Sequence, residues 1–77
     1  MNEVPHEVLQ NRRKELRLTQ QETANRAGIM LQQYQKFESG ERKLRTASFD
    51  IACGVLEALE LDIEQVFREY VAEQNGA

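Results

Sequence analysis

The feature that most constrains this chain is residues 19–40, TQQETANRAGIMLQQYQKFESG. Thr19 has Glu22 three positions on, so a hydroxyl and a carboxylate can each satisfy a free backbone N–H, and a helix begins at Gln20. Gly28 interrupts the helical pattern where a residue that tolerates positive φ ends one helix and permits a tight turn. A second helix is expected over 31–38, stopping at Ser39-Gly40. Met30, Tyr34 and Phe37, at i, i+4 and i+7, form its apolar stripe, and Leu31, Gln32, Gln35 and Lys36 occupy the opposite face.

The rest of the chain reads as support. A first helix is expected to begin at Pro5, whose missing N–H would be unpaired in a first turn anyway. Val8, Leu9 and Leu16 give it a buried stripe, and Arg12, Arg13, Lys14 and Arg17 lie around its remaining surface. The second helix turns only Ala24 and Ala27 inward with Thr23 beside them, small residues that let its neighbour approach closely. Thr46 is the expected cap of a fourth helix over 47–59. Its stripes, Phe49, Ala52, Cys53, Leu56 and Leu59 beside Ile51, Val55 and Ala58, suit a mostly buried central helix. Gly54 within it costs roughly 1 kcal/mol relative to Ala and marks a point of close packing. Asp62, with Gln65 three on, caps a fifth helix over 63–73. No period-two alternation and no Asn-Gly or Asp-Gly turn signals a strand. The expectation is one all-α domain over 1–77, a compact bundle of five helices with its core over 5–73 and a fraying tail over 74–77.

Composition excludes several classes of function. Seventy-seven residues leave little room for a catalytic cleft plus its scaffold, and 40% apolar with 30% charged residues describes an ordinary soluble globular chain. No stretch approaches the roughly 20 apolar residues that cross a bilayer, and MNEVPHEV lacks the layout of a signal peptide, so a cytoplasmic protein without membrane contact is expected. Cys53 is the single cysteine and reads as a small buried hydrophobe; His6 is also alone. Neither a metal site, a cofactor nor a catalytic constellation is expected, and the chain is read as a non-enzyme.

The net charge of −3 is unevenly spread. Up to Arg45 there are nine Lys/Arg against six acids; from Thr46 onward there is one base, Arg68, against seven acids. The positive charge therefore accompanies the central helix pair, and local potential, not the sum, governs a binding face.

Two short helices joined by a Gly-containing turn form the arrangement that lays its second helix across a nucleic-acid major groove. Glutamine presents a donor and an acceptor together, matching adenine; lysine reaches guanine acceptors; an aliphatic side chain can rest on a thymine methyl. Leu31, Gln32, Gln35 and Lys36 thus form a base-reading set. Phosphate ligands would flank them: Gln20 at the head of the second helix, and Arg42, Lys43 and Arg45 after the third.

With these residues in view, the sequence resembles the phage lambda repressor and Cro family (Xre type) of helix-turn-helix DNA-binding domains. The resemblance rests on Leu18-Thr19-Gln20, Ala24, Ala27-Gly28-Ile29, Phe37-Glu38-Ser39-Gly40, Ala58-Leu59 and Asp62-Ile63-Glu64. It implies a five-helix fold with the third helix in the major groove, base contacts from Leu31, Gln32, Lys36 and Gln35, and an Arg13–Glu38 ion pair fixing the first helix against the third. It also implies a two-fold dimer on a near-palindromic operator with half-sites roughly 34 Å apart. The apolar edge of the fifth helix, Phe67, Tyr70 and Val71, is the expected dimer interface. The departures are Met30 where the family places a Ser or Thr cap, Leu31 where a polar reader is usual, and Glu60 in place of Gly after the fourth helix. The leading expectation is a transcriptional regulator acting as a repressor. The acidic second half and the apolar edge of the fifth helix keep a second one open: a protein-interaction module, such as an antitoxin or regulatory adaptor, with weak or no DNA binding of its own and a toxin or other regulator as its partner.

Overall fold

A computed structural model describes residues 4–72. Five α-helices follow in order: α1 (His6–Glu15), α2 (Gln20–Ala27), α3 (Leu31–Ser39), α4 (Phe49–Ala58) and α5 (Ile63–Val66). A 3-10 turn (Leu44–Thr46) precedes α4, and a π-type turn (Phe67–Val71) continues α5. Among the described residues there is no strand, and no helix is long and apolar enough to cross a membrane.

Local chemistry sets the helix starts. Thr19 and Glu22 close the reciprocal box: Thr19 Oγ1 accepts from the Glu22 N–H at 3.0 Å and Glu22 Oε1 accepts from the Thr19 N–H at 2.8 Å. Asp62 Oδ1 accepts from the N–H groups of Glu64 and Gln65. The cap of α4 is Ser48, whose hydroxyl accepts from the Ile51 N–H, not Thr46. Leu44 pulls the chain inward, closing a 3-10 turn in which the Thr46 hydroxyl donates to the Lys43 carbonyl at 2.7 Å. Pro5 is likewise the residue before α1, in extended backbone at ψ 140°, with His6 the first helical residue.

Three helices end in one device. After α1, the N–H of Leu18 reaches the Arg13 carbonyl and that of Arg17 the Lys14 carbonyl. Ile29 and Gly28 bond Ala24 and Asn25 in the same way after α2, and Leu61 and Glu60 bond Leu56 and Glu57 after α4. This is the Schellman pattern, in which a left-handed residue lets two N–H groups satisfy the helix's last carbonyls. The left-handed positions are Arg17 (φ 58°), Gly28 (φ 74°) and Glu60 (φ 55°), only one of which is glycine.

The core is built on Tyr34, Phe37, Leu9, Leu59, Val55 and Thr23, all almost fully buried, with Ala24, Leu44, Leu56, Ala58 and Val66 around them. Val4 is buried too, so the core begins one residue before the expected limit. The closest packing is that of α2 on α4. A Cβ at Gly54 would lie 2.9 Å from the Ala27 carbonyl oxygen, so the missing side chain is what lets the two backbones meet.

Two expected core residues are outside it. Phe49 is 79% exposed and Met30 is 66% exposed. With the cap at Ser48, Phe49 is the first helical residue of α4 and projects beyond the core's end. Met30 precedes α3 in extended backbone, so helical spacing does not apply to it. The continuous fifth helix expected over 63–73 is instead α5 followed by the π-type turn, and the fraying expected over 74–77 lies outside the described residues.

Candidate nucleic-acid interface

The site is assembled by a junction at the C-terminal end of α3. Arg13, on the last turn of α1, grips the Glu38 carboxylate with two parallel bonds, Nε to Oε2 at 2.8 Å and Nη2 to Oε1 at 2.7 Å. Its Nη1 donates to the Leu18 carbonyl at 2.9 Å, tying in the link between α1 and α2. Gln20, the first residue of α2, donates from Nε2 to Glu38 Oε1 at 3.0 Å. The Arg13 and Glu38 side chains are only 13% and 3% exposed, so the pair works in a low-dielectric setting. Burial alone would raise the pKa of the Glu38 carboxyl, but the bonds from Arg13 and Gln20 outweigh it and hold the group below its ordinary value. The Arg13 guanidinium is held above its ordinary value by its own bonds to Glu38. Beside the pair, Tyr34 is fully buried, its hydroxyl has no hydrogen-bond partner among the described residues, and burial pushes its pKa up.

This junction fixes the orientation of α3. Tyr34, Phe37 and Glu38 face inward, while Gln32, Gln35 and Lys36 are exposed and Leu31 is half-buried. Gln35 Nε2 donates to Gln20 Oε1 at 3.1 Å, so the amides of α2 and α3 meet across the surface. Met30 supplies no hydroxyl cap, but its N–H is taken up by Gln33 Oε1 at 3.1 Å, which offsets part of the missing capping bond.

The side chain of Gln20 is engaged at both amide atoms, by Glu38 and Gln35, which leaves the backbone N–H groups at the head of α2 as that end's anion donors. Beyond α3, Arg42 is exposed with its guanidinium 5.7 Å from the centre of the Phe37 ring. Lys43 is exposed, and Arg45 is half-buried in the 3-10 turn. Arg12, placed on the solvated surface of the first helix from its sequence, serves structure: its Nε donates to the Leu59 carbonyl at 2.9 Å, capping α4. The only sequence signal for that role is a basic residue within reach of a helix end, which many residues give.

A second surface lies on α4 and α5. An apolar groove of about 340 Å³ is lined by Leu44, Ala52, Leu56, Ile63 and Val66, with Phe49 and Phe67 along it. Of the three residues expected at a dimer interface, Phe67 is 48% exposed, whereas Tyr70 and Val71 are half-buried against the core. Among the described residues, no group of His, Cys, Asp and Glu comes together as a metal site.

Two capped helices joined by a left-handed turn, with the second clamped at its far end and its polar face outward, define a helix-turn-helix DNA-binding domain. A helix-turn-helix family model matches residues 9–66, and the chain belongs to that family, with a lambda-repressor-like fold. Neither a curated protein nor a solved structure matches the chain.

Proposed function

We propose that this domain binds double-stranded DNA in a sequence-specific way as a transcriptional repressor, with α3 in the major groove. The observation that carries the reading is the exposed face of Gln32, Gln35 and Lys36 on a helix locked at its far end by Arg13 and Glu38. Leu31, half-buried at the start of α3, would meet a thymine methyl. Phosphates would be held by the backbone N–H groups at the head of α2, at Gln20, and by the side chains of Arg42, Lys43 and Arg45. The domain acts as a homodimer, and Phe67 and Phe49 beside the apolar groove favour that face, with Tyr70 and Val71 behind it. Selection from a pool of random duplexes tests the reading: enrichment of a two-fold motif supports it, and failure to enrich any motif removes the sequence-specific claim.

The groove also favours a second reading, in which the same face holds a different protein, as an antitoxin or adaptor does. Sedimentation distinguishes them. A dimer that forms without any partner supports the first, and a monomer at high concentration that dimerises neither alone nor on DNA supports the second.

A further inference from the structure

We propose that Gln20 is a positioning residue for Gln35, and that through it the buried Arg13–Glu38 pair sets which edge of the Gln35 amide faces the DNA. The inference rests on the reading of α3 as the base-reading helix and adds to it a source of specificity within the domain itself.

Donors and acceptors fix the orientation of both amides. An ionised carboxylate only accepts, and Glu38, held ionised by two bonds from Arg13, can be met by Gln20 only through its NH2 group. The opposite orientation would set the Gln20 carbonyl oxygen 3.0 Å from a carboxylate oxygen. With its NH2 turned to Glu38, Gln20 has only Oε1 to offer on its other side. Gln35 must therefore turn its own NH2 toward Gln20, as it does at 3.1 Å. One N–H of Gln35 is used in that bond, and its carbonyl oxygen and second N–H remain for a ligand. That pair is complementary to the N6 donor and N7 acceptor of adenine, and guanine, with two acceptors at the same edge, leaves the carbonyl oxygen unmatched.

A free glutamine on a helix surface would sample both orientations of its amide. Here the orientation runs back through Gln20 on α2 and Glu38 on α3 to Arg13 on α1, whose side chain is 13% exposed. Preorganisation of this kind removes an ordering cost from binding and makes the wrong base leave a polar group unpaired. The Gln20 side chain thus has a role unlike that of a phosphate ligand, and the two roles leave different marks: loss of a phosphate contact weakens all sequences alike, and loss of a positioning residue relaxes one base pair.

Two readouts test the proposal on the full chain with Gln20→Met and the more conservative Gln20→Asn, which is too short to span Glu38 and Gln35. The first needs no DNA: NMR relaxation of the Gln35 side-chain amide. It is expected to be ordered in the parent and mobile in both variants; equal mobility in all three overturns the proposal. The second is selection on random duplexes. The parent is expected to favour adenine at one base pair of each half-site by about tenfold or more. Gln35→Ala and both Gln20 variants are expected to reduce that preference to below about threefold while leaving the base pair read by Lys36 unchanged. A uniform loss of affinity with the adenine preference intact overturns it and identifies Gln20 as a phosphate ligand. If the parent enriches no motif, the base-reading function fails, while the relaxation comparison still decides whether Gln20 positions Gln35.

Discussion

Removing one member of the Arg13–Glu38 pair leaves the other buried without its counter-charge, which makes this the most sensitive polar contact in the domain. Breaking such a pair costs about 3 kcal/mol, whereas an exposed pair of equal length contributes below about 1 kcal/mol. Urea unfolding should therefore show Arg13→Ala destabilised by about 3 kcal/mol. Arg68→Ala, which removes an exposed 2.7 Å pair with Glu64, should be close to neutral. The pair also predicts a pH dependence. Because the folded Glu38 carboxyl lies below its ordinary value of 4.5, its contribution is fully present above that pH and is lost as pH falls through the folded value. The stability difference between the parent and Glu38→Gln should thus shrink on acidification below about pH 4.5 and stay flat above it. At two other positions the chain carries strain that a substitution can relieve. Arg17 and Glu60 hold the left-handed conformation that costs a non-glycine residue roughly 1–2 kcal/mol, partly offset by the greater unfolded-state freedom of glycine. Glu60→Gly should raise stability by about 0.5–1 kcal/mol, seen as a Tm increase of a few degrees.

At the scale of elements, α2 and α3 were legible because their signals are local. A reciprocal cap at Thr19 and Glu22, a glycine at the left-handed position and the apolar pair Tyr34 and Phe37 one turn apart each depend on residues within one or two turns. The same Schellman ending occurs after α1 and α4 with Arg17 and Glu60 at its left-handed position, where the glycine that announces it is absent: after α4 only the family resemblance marked the place, and after α1 nothing did. Phe49 misled for a related reason: it fits the periodicity of α4, but the helix begins at Phe49, so the stripe runs off the end of the core. The start itself was displaced from Thr46 to Ser48 because burial of Leu44 draws the chain into a tighter turn first. Gly54 was readable as close packing, and the structure supplies the partner, the Ala27 carbonyl oxygen. Gly54→Ala should destabilise the domain by about 1–3 kcal/mol in thermal unfolding, although alanine is the better helix former, because the added carbon forces α2 and α4 apart.

For the molecule as a whole, the question is how a chain of net charge −3 can hold a polyanion. The candidate site answers it by separation: the cations flanking α3 lie in the basic part of the chain, and the acids concentrate after Thr46, in the part that carries α4, α5 and the apolar groove. If Arg42, Lys43 and Arg45 of two protomers bind phosphates, the logarithm of the binding constant should fall with that of salt concentration with a slope of about −5. The site itself was only partly readable. Exposed polar residues on a helical face could be found from spacing, but that Gln20 is engaged at both ends of its amide depends on where Glu38 and Gln35 come to lie, a tertiary fact with no local signal. The most direct measurement of the central claim, that α3 reads bases while its flanks hold phosphates, is a paired titration of Lys36→Ala and Arg42→Ala on a selected operator and on a scrambled duplex. The account predicts that Lys36→Ala loses discrimination between the two duplexes, by about fivefold or more, and that Arg42→Ala weakens both equally and lowers the salt slope by about one. Equal, sequence-independent weakening by both variants, or no effect of either, would contradict it.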